Sequence, residues 1–136
     1  TARPLLLELV PGADTRLFCS ILHQLSFERD PATARMLIGY LQAPAFEQRP
    51  DDEKRAIYAA LAAVGTDDVL PELEAELAKW NWLSRGLDAH RQAIARCIAR
   101  LGTVRACALL ERGVASKRAA LREVCAEALR SVYGRN

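Results

Sequence analysis

Two histidines and four cysteines are the residues of this 136-residue chain that could bind a transition metal or act as strong nucleophiles. The cysteines are Cys19, Cys97, Cys107 and Cys125. No two of them form a C-x-x-C pair, and the nearest two lie ten residues apart, whereas zinc and dithiol redox sites place such ligands only a few residues apart. Each cysteine stands among apolar residues at helical spacing. We therefore expect reduced cysteines that pack in the core of a cytosolic protein.

The histidines, His23 and His90, lie far apart in the sequence and have no neighbouring ligands that would complete a metal site. Four common catalytic or phosphate-binding patterns, G-x-x-x-x-G-K, G-x-G-x-x-G, H-E-x-x-H and G-x-S-x-G, do not occur. The sequence therefore predicts a protein that is not an enzyme and that requires neither a metal nor a cofactor.

Composition and charge indicate a helical protein with two electrically different halves. Alanine and leucine, both strong helix formers, supply 44 of the residues. No apolar run approaches the roughly 20 residues that span a bilayer. Residues 1–84 carry 8 Lys or Arg against 13 Asp or Glu, and residues 85–136 carry 11 against 4. Because the whole chain has a net charge of only +2, charge alone does not indicate a nucleic-acid partner.

A repeat of 37 residues organises the chain from residue 51 onward. Shifting Asp51–Leu77 by 37 positions superposes it on Asp88–Val114. The shift also brings Gly65–Thr66 onto Gly102–Thr103. A third, partial copy follows at a shift of 31, and a fainter copy lies upstream at a shift of 39. Periods of this length are typical of helical-repeat proteins.

Each copy is interpreted as two amphipathic helices joined by a Gly-Thr turn. Asp51 or Asp52 is expected to cap the first helix, and Gly65 to end it in the left-handed conformation that glycine readily adopts. The second helix is then expected to begin at residues 66–67, with Pro71 in its opening turn. The residues expected to face the core are Ile57, Ala60, Leu61, Val64, Leu70, Leu73 and Leu77 in one copy and Ile94, Cys97, Ile98, Leu101, Ala106, Leu109, Leu110 and Val114 in the next.

The first fifty residues follow this pattern less clearly. Leu5–Val10 is expected to form the end of a helix. A second helix is expected from a cap at residues 14–15 through Leu25, and a third should begin at Pro31 and end before Pro44.

The segments RAIYAALAAVGTDDVLPELEAEL at Arg55–Leu77 and QAIARCIARLGTVRACALLERGV at Gln92–Val114 resemble HEAT repeats, most closely the bacterial kind described as PBS-lyase HEAT-like. The resemblance implies an all-α fold, an α-solenoid of about three to four helical hairpins in one domain over residues 1–136, with clear repeats in 51–136 and degenerate ones in 1–50. It also implies that the second helices line the concave side. Most members of the family are scaffolds or adaptors, and a few are enzymes or enzyme partners in phycobilin attachment, protein hydroxylation or DNA base excision.

The residues that we expect to contact a partner are Glu72, Glu76, Trp80, Trp82, Arg105 and Arg112. Arg105 and Arg112 lie seven residues apart and so share one helix face, whereas the glutamates make the preceding second helix acidic. A surface whose charge changes sign in this way would orient an asymmetric partner. The two tryptophans suit a binding anchor. Packing of the tryptophans in the core and scattered surface charge are the competing interpretations.

The sequence thus predicts a non-catalytic scaffold of the bacterial cytoplasm that binds a protein partner through the concave face of a HEAT-like array, without metal, cofactor or membrane. Two alternatives stay open. One is an enzyme or enzyme subunit of HEAT-like type, either a lyase accessory or DNA glycosylase-like, and the other is a nucleic-acid binder that uses the basic C-terminal half. The chain begins at Thr1 and not at Met, which is typical of a piece of a longer protein.

Overall fold

The structure, a computed structural model, describes residues 14–79 and 87–133. Every regular element within these ranges is helical, which confirms the prediction of an all-α fold. The α-helices are α1 (Thr15–Leu25), α2 (Pro31–Gln42), α3 (Asp51–Val64), α4 (Leu70–Ala78), α5 (Leu87–Leu101), α6 (Val104–Val114) and α7 (Ala119–Tyr133). None of these helices combines the length and the apolar character needed to cross a membrane. The chain divides after Thr66 into two compact units.

The first two described helices of the N-terminal unit have aspartate caps. Asp14 accepts a hydrogen bond from the backbone N–H of Leu17 at 2.8 Å. Asp30 likewise accepts one from the N–H of Thr33 at 2.9 Å, directly before Pro31. A side-chain acceptor on an extended residue satisfies an N–H group that has no partner within the helix, and proline is tolerated in the same turn because its missing N–H is not needed. The predicted start points of both helices are confirmed.

The ends of these two helices also agree with the sequence. Helix α1 ends at Leu25, and α2 ends at Gln42 ahead of Pro44. Pro44 then opens a 3₁₀ turn through Gln48 that the sequence did not predict. The helix end expected at Leu5–Val10 lies outside the described residues.

Helix α3 begins at Asp51, and its N-cap is Pro50, which makes no side-chain cap. The prediction that Asp51 or Asp52 caps the helix is therefore wrong, because both residues lie inside the first turn. Their carboxylates still compensate for the positive end of the helix dipole there. The predicted core face of α3 is confirmed, since all four of its residues are buried: Ile57, Ala60, Leu61 and Val64.

Gly65 ends α3, but not in the left-handed conformation that the sequence predicted. Its φ is −63°, and the chain leaves the helix in an extended conformation. The carbonyl groups at this helix end are satisfied from the loop after α1. The Arg29 guanidinium donates to the carbonyl oxygens of Ala62 and Gly65 at 2.6 and 3.0 Å, and the Asp30 N–H donates to that of Val64 at 3.0 Å. A left-handed glycine cap is not required when other donors reach these carbonyls.

Arg49 links α1, α2 and α3 within the N-terminal unit. Its guanidinium lies over the rings of Phe18 and Tyr40, 4.8 and 5.0 Å from their centroids, and forms a 2.7 Å ion pair with Glu53. Glu53 in turn accepts a 2.6 Å hydrogen bond from the Thr15 hydroxyl. A guanidinium stacked on aromatic rings and paired with a half-buried carboxylate is held more firmly than an exposed ion pair.

In the C-terminal unit, α5 packs against α4, α6 and α7. Its predicted core residues, Ile94, Cys97, Ile98 and Leu101, are all buried. Helix α4 begins at Leu70 and not at residues 66–67 as predicted, because Asp67–Val69 form a 3₁₀ turn before it. Pro71 lies in its first turn, as expected. Its leucines Leu70, Leu73 and Leu77 are buried too, so the predicted core face of each helix is confirmed.

Helix α6 begins after Gly102, which has a φ of +69°, and Thr103 caps it by accepting a hydrogen bond from the Ala106 N–H at 3.1 Å. The predicted core residues Ala106, Leu109 and Leu110 are buried, but Val114 is 38% exposed. The prediction for Val114 is therefore wrong. It is the last residue of the helix, and the inward position on that turn belongs to its neighbour Gly113.

Gly113 lies where α6 packs closely against Cys125 of α7. A Cβ atom built on it would lie 2.2 Å from the Sγ atom and 3.1 Å from the Cβ atom of Cys125. Separations under about 3 Å between non-bonded heavy atoms cannot be kept, so the two helices can pack at this distance only because residue 113 has no side chain.

We expect Gly113→Ala to reduce the free energy of unfolding by about 1–3 kcal/mol, because the overpacked methyl group outweighs alanine's helix propensity. Gly39→Ala is the matched control: it lies in α2 with nothing within 4 Å of the new Cβ, and should stabilise the protein by about 0.5–1 kcal/mol. Urea unfolding measures both. Adding Cys125→Ala to Gly113→Ala should recover part of the loss, and no recovery would contradict the proposed contact.

Candidate functional site

Helices α4 and α6 face each other across an open groove of about 230 Å³. The residues that line it are Leu70, Pro71 and Glu74 from α4 and Arg105, Ala108, Leu109 and Arg112 from α6. The α6 residues follow an i, i+3, i+4, i+7 spacing, which is one face of a helix. The sequence predicted correctly that Arg105 and Arg112 share a face, and the structure brings both to this groove.

The groove has an apolar floor and a charged rim. Leu70 and Leu109 form part of the hydrophobic core and are buried at its base. Pro71 and Ala108 add apolar surface that solvent reaches in part. The charged side chains are exposed above them, two arginines on one wall and one glutamate on the other. An apolar floor with charges around it can hold a side chain by burial and orient it by ion pairing.

The two arginines differ in what they contact. Arg112 donates to the Glu74 carboxylate at 3.1 Å across the groove, and the two side chains are 66% and 52% exposed. An exposed ion pair of this kind contributes only about 0–1 kcal/mol and is exchanged easily. Arg105 is exposed and forms no hydrogen bond or ion pair with the described part of the chain. Its guanidinium is therefore available to an external carboxylate.

A hydrogen bond fixes the start of α4 relative to the start of α6. The Thr103 hydroxyl donates to the Asp67 carboxylate at 2.6 Å while its oxygen accepts the capping bond from α6. The Thr103 side chain thus caps α6 and also joins that helix to the 3₁₀ turn before α4. This bond joins the two walls of the groove at their amino-terminal ends.

The two glutamates that the sequence placed in the binding surface do not line the groove. Glu72 is half-buried. Glu76 is only 3% exposed, and its Oε1 atom lies 3.0 Å from His90 Nε2 and 2.9 Å from Lys79 Nζ. Its carboxylate is enclosed by its own chain, so a partner cannot contact it directly. Glu74 is the glutamate that lines the groove. The sequence shows that it is charged but does not show that it lies there.

The remaining predicted residues fall in two places. Trp80 and Trp82 lie outside the described residues, and the expectation that they contact a partner stays a prediction. Arg96 and Arg100 are exposed on α5, and neither lines the groove. Arg96 pairs with Glu127 of α7 at 3.2 Å.

The carboxyl end of α4 is held by two arginines and a histidine. The buried Arg91 donates to the carbonyl oxygen of Lys79. Arg118 donates to the carbonyl oxygens of Ala78 and Lys79 at 2.9 and 3.4 Å. His90 contacts Glu76 one turn earlier. The two arginines at this end of the helix satisfy its unpaired carbonyls and complement its dipole.

The cysteines and histidines of the described ranges form no reactive or metal-binding cluster. Burial raises the pKa of the Cys97 thiol to about 12 and that of the Cys125 thiol to about 11, so both stay protonated and poorly nucleophilic at neutral pH. All four cysteines are free thiols. No group of three or more His, Cys, Asp or Glu in residues 14–79 and 87–133 is arranged to hold a metal ion.

Comparison with protein-family models, with curated proteins and with solved structures found no match to this chain. The resemblance to HEAT repeats therefore rests on the residues of Arg55–Leu77 and Gln92–Val114 alone, and it stays a prediction.

Glu76 should make the stability of the protein depend on acid pH. Burial raises the pKa of its carboxyl group, but hydrogen bonds from His90 and Lys79 and their charges outweigh it and leave the pKa below the ordinary value of 4.5. The unfolded chain therefore binds this proton more readily than the folded one. The stabilisation is fully present above about pH 4.5 and is lost as the pH falls through the lower pKa of the folded state.

We expect Glu76→Gln to reduce the free energy of unfolding at pH 7 by about 1–3 kcal/mol, because charged hydrogen bonds are lost. The difference from the unmodified protein should shrink below pH 4.5, where Glu76 itself becomes neutral. Glu74→Gln is the matched control on the exposed side of the helix and should change stability by less than about 1 kcal/mol. Urea titrations from pH 7 to pH 3 measure both, and equal effects of the two variants would contradict the assignment.

Proposed function

We propose that this chain is a non-catalytic recognition scaffold, an α-solenoid of about three to four HEAT-like hairpins that binds a protein partner through its second helices. In the repeat pattern, α4 and α6 are the second helices of consecutive hairpins. The observation that carries the proposal is the groove between them. There the exposed Arg105, which forms no hydrogen bond or ion pair with the described part of the chain, lies beside an apolar floor.

The size and form of the groove favour a macromolecular partner over a small substrate. Pockets that enclose a drug-sized ligand usually measure roughly 300–1,000 Å³. This groove, at about 230 Å³, is smaller and open along its length. It is therefore suited to one or two side chains of a larger molecule that remains mostly outside.

The arginines of the basic half favour a protein partner over a nucleic acid. A nucleic-acid surface needs several Lys or Arg side chains that are free to neutralise phosphates. Many of the arginines here bond to acceptors of this chain. Arg91 is buried, Arg96 and Arg112 pair with glutamates, and Arg118 and Arg122 donate to backbone carbonyls. Five of the eleven Lys and Arg residues in 85–136 are thus engaged by acceptors or buried within the described part of the chain.

A site-specific cross-link tests the proposal. A photoreactive phenylalanine derivative at Ala108, in the groove, should capture a protein from an extract of the source organism. The same derivative at Gln92, an exposed residue of α5 that does not line the groove, is the control and should not capture that protein. Adducts that are sensitive to nuclease, or equal capture from both positions, would count against a protein-binding groove.

Charge reversal gives the quantitative prediction. Replacing Arg105 and Arg112 together by Glu should weaken binding of the captured partner about tenfold or more and flatten its salt dependence, because the positive wall of the groove is lost. Replacing Arg96 and Arg100 by Glu is the matched control and should change the affinity little. Isothermal titration calorimetry at two salt concentrations measures both pairs, with helicity checked by circular dichroism. Comparable losses from the two pairs would indicate non-specific attraction and would favour the nucleic-acid alternative.

A further inference from the structure

We infer that the α4–α6 groove binds an extended acidic peptide segment in which two carboxylates lie three residues apart and an aliphatic side chain lies between them. The inference rests on the proposed function and specifies the chemistry of the partner.

The groove has little room for a helix. Its volume is only about 230 Å³, and the Glu74–Arg112 pair crosses it at one point. An α-helix with its side chains is about 10–12 Å in diameter, so a single turn of it occupies more than this volume and would not fit between the walls to reach Leu70 and Leu109. A single extended strand of polypeptide is much thinner and can lie along the groove with one side chain directed to the floor.

The spacing of the arginines matches the repeat of an extended left-handed polyproline II segment. Arg105 and Arg112 are seven residues apart on one helix face, which corresponds to about 10.5 Å along the axis at 1.5 Å per residue. In a polyproline II segment, side chains three residues apart project in the same direction about 9.3 Å apart. Two carboxylates at this separation can pair with both guanidinium groups at once.

The charge of the groove selects carboxylates and excludes cations on the α6 wall. Arg105 is exposed and has no acceptor within the described ranges, so the first carboxylate displaces only water. The second carboxylate must compete with Glu74 for Arg112, and that pair is exposed and weak. Glu74 therefore acts as a stand-in for the ligand, an acidic group of this chain that occupies the site until a partner carboxylate replaces it.

The apolar floor supplies the remaining specificity. Leu70 and Leu109 are buried below the rim, and Pro71 and Ala108 extend the apolar surface between the two arginines. An aliphatic side chain that follows the first carboxylate can cover this surface. Burial of such a side chain favours binding, whereas a polar one would lose its hydrogen bonds to water without replacement.

Synthetic peptides test the inference on the full chain. The probe is acetyl-SPELPEPS-amide, in which the prolines favour the polyproline II conformation and the glutamates are three residues apart. Its titration, followed by ¹⁵N–¹H NMR, should shift the amide signals of Leu70, Ala108 and Leu109. The dissociation constant should be about three- to tenfold lower than that of the isosteric peptide with two glutamines, because two charged contacts are lost in the latter. A peptide with adjacent glutamates, which can reach only one arginine, should bind with intermediate affinity.

Variants of the chain sharpen the test. Arg105→Gln and Arg112→Gln should each weaken binding of the acidic peptide several-fold, and Arg96→Gln, the matched control, should not change it. Glu74→Gln should tighten binding about two- to threefold, because Arg112 is released from its competitor. With both groove arginines replaced by Glu, the preference should invert toward the peptide that carries two lysines. Circular dichroism confirms that each variant remains helical.

The outcomes separate this inference from the proposed function. Equal affinity for the glutamate and glutamine peptides, binding without shifts in the groove, or no detectable binding of the acidic peptide would overturn the inference. If cross-linking from Ala108 still captures a protein in that case, the scaffold function stands and only the acidic-segment chemistry is wrong. If Ala108 captures nothing while the acidic peptide binds as described, the peptide site stands and the protein partner must be sought elsewhere.

Discussion

The attachment of α4 to α5 is the constraint on which the groove depends. At nine residues, α4 is too short to be stable by itself, so it must be held by its neighbours. Its leucines are buried against the C-terminal unit's core, and its carboxyl end is held by Arg91 and Arg118 through the carbonyl of Lys79. The Glu76–His90 contact then fixes how the helix is rotated. With the rotation fixed, Glu74 can only face α6, which creates the acidic wall of the groove.

In each unit an arginine donates hydrogen bonds to the carbonyl groups at a helix end. An arginine used in this way is less available to bind a partner. Arg29 satisfies carbonyls at the end of α3, and Arg118 satisfies those at the end of α4. A guanidinium has five donors in a planar arrangement, so it can reach several carbonyls at once where a left-handed glycine cap is absent. Arg91 and Arg122 also donate to backbone carbonyls, so four of the 16 arginines are used in this way in the described part of the chain. Under the proposed function, recognition would depend on exposed arginines that are not used so, of which Arg105 is the clearest example.

The features that depend on one helix alone, its buried face and its N-cap, were mostly predicted correctly from the sequence. The buried faces of α3, α5 and most of α6 follow directly from apolar spacing, because a helix repeats its direction every 3.6 residues whatever its neighbours are. The caps at Asp14 and Asp30 follow from local hydrogen bonding in the same way. The prediction for Gly65 was wrong because donors from Arg29 and Asp30, more than thirty residues away in the sequence, decide how that helix ends.

The sequence by itself determined that Glu74 and Glu76 stand on opposite sides of the Leu73–Leu77 stripe, since two residues correspond to a rotation of roughly 200°. It also determined that Arg105 and Arg112 share a face. Only the tertiary structure decided which side of α4 is covered by α5 and which faces α6. Glu76 is buried against His90 and Glu74 is left on the rim of the groove because of that packing, and no local pattern in the sequence records it.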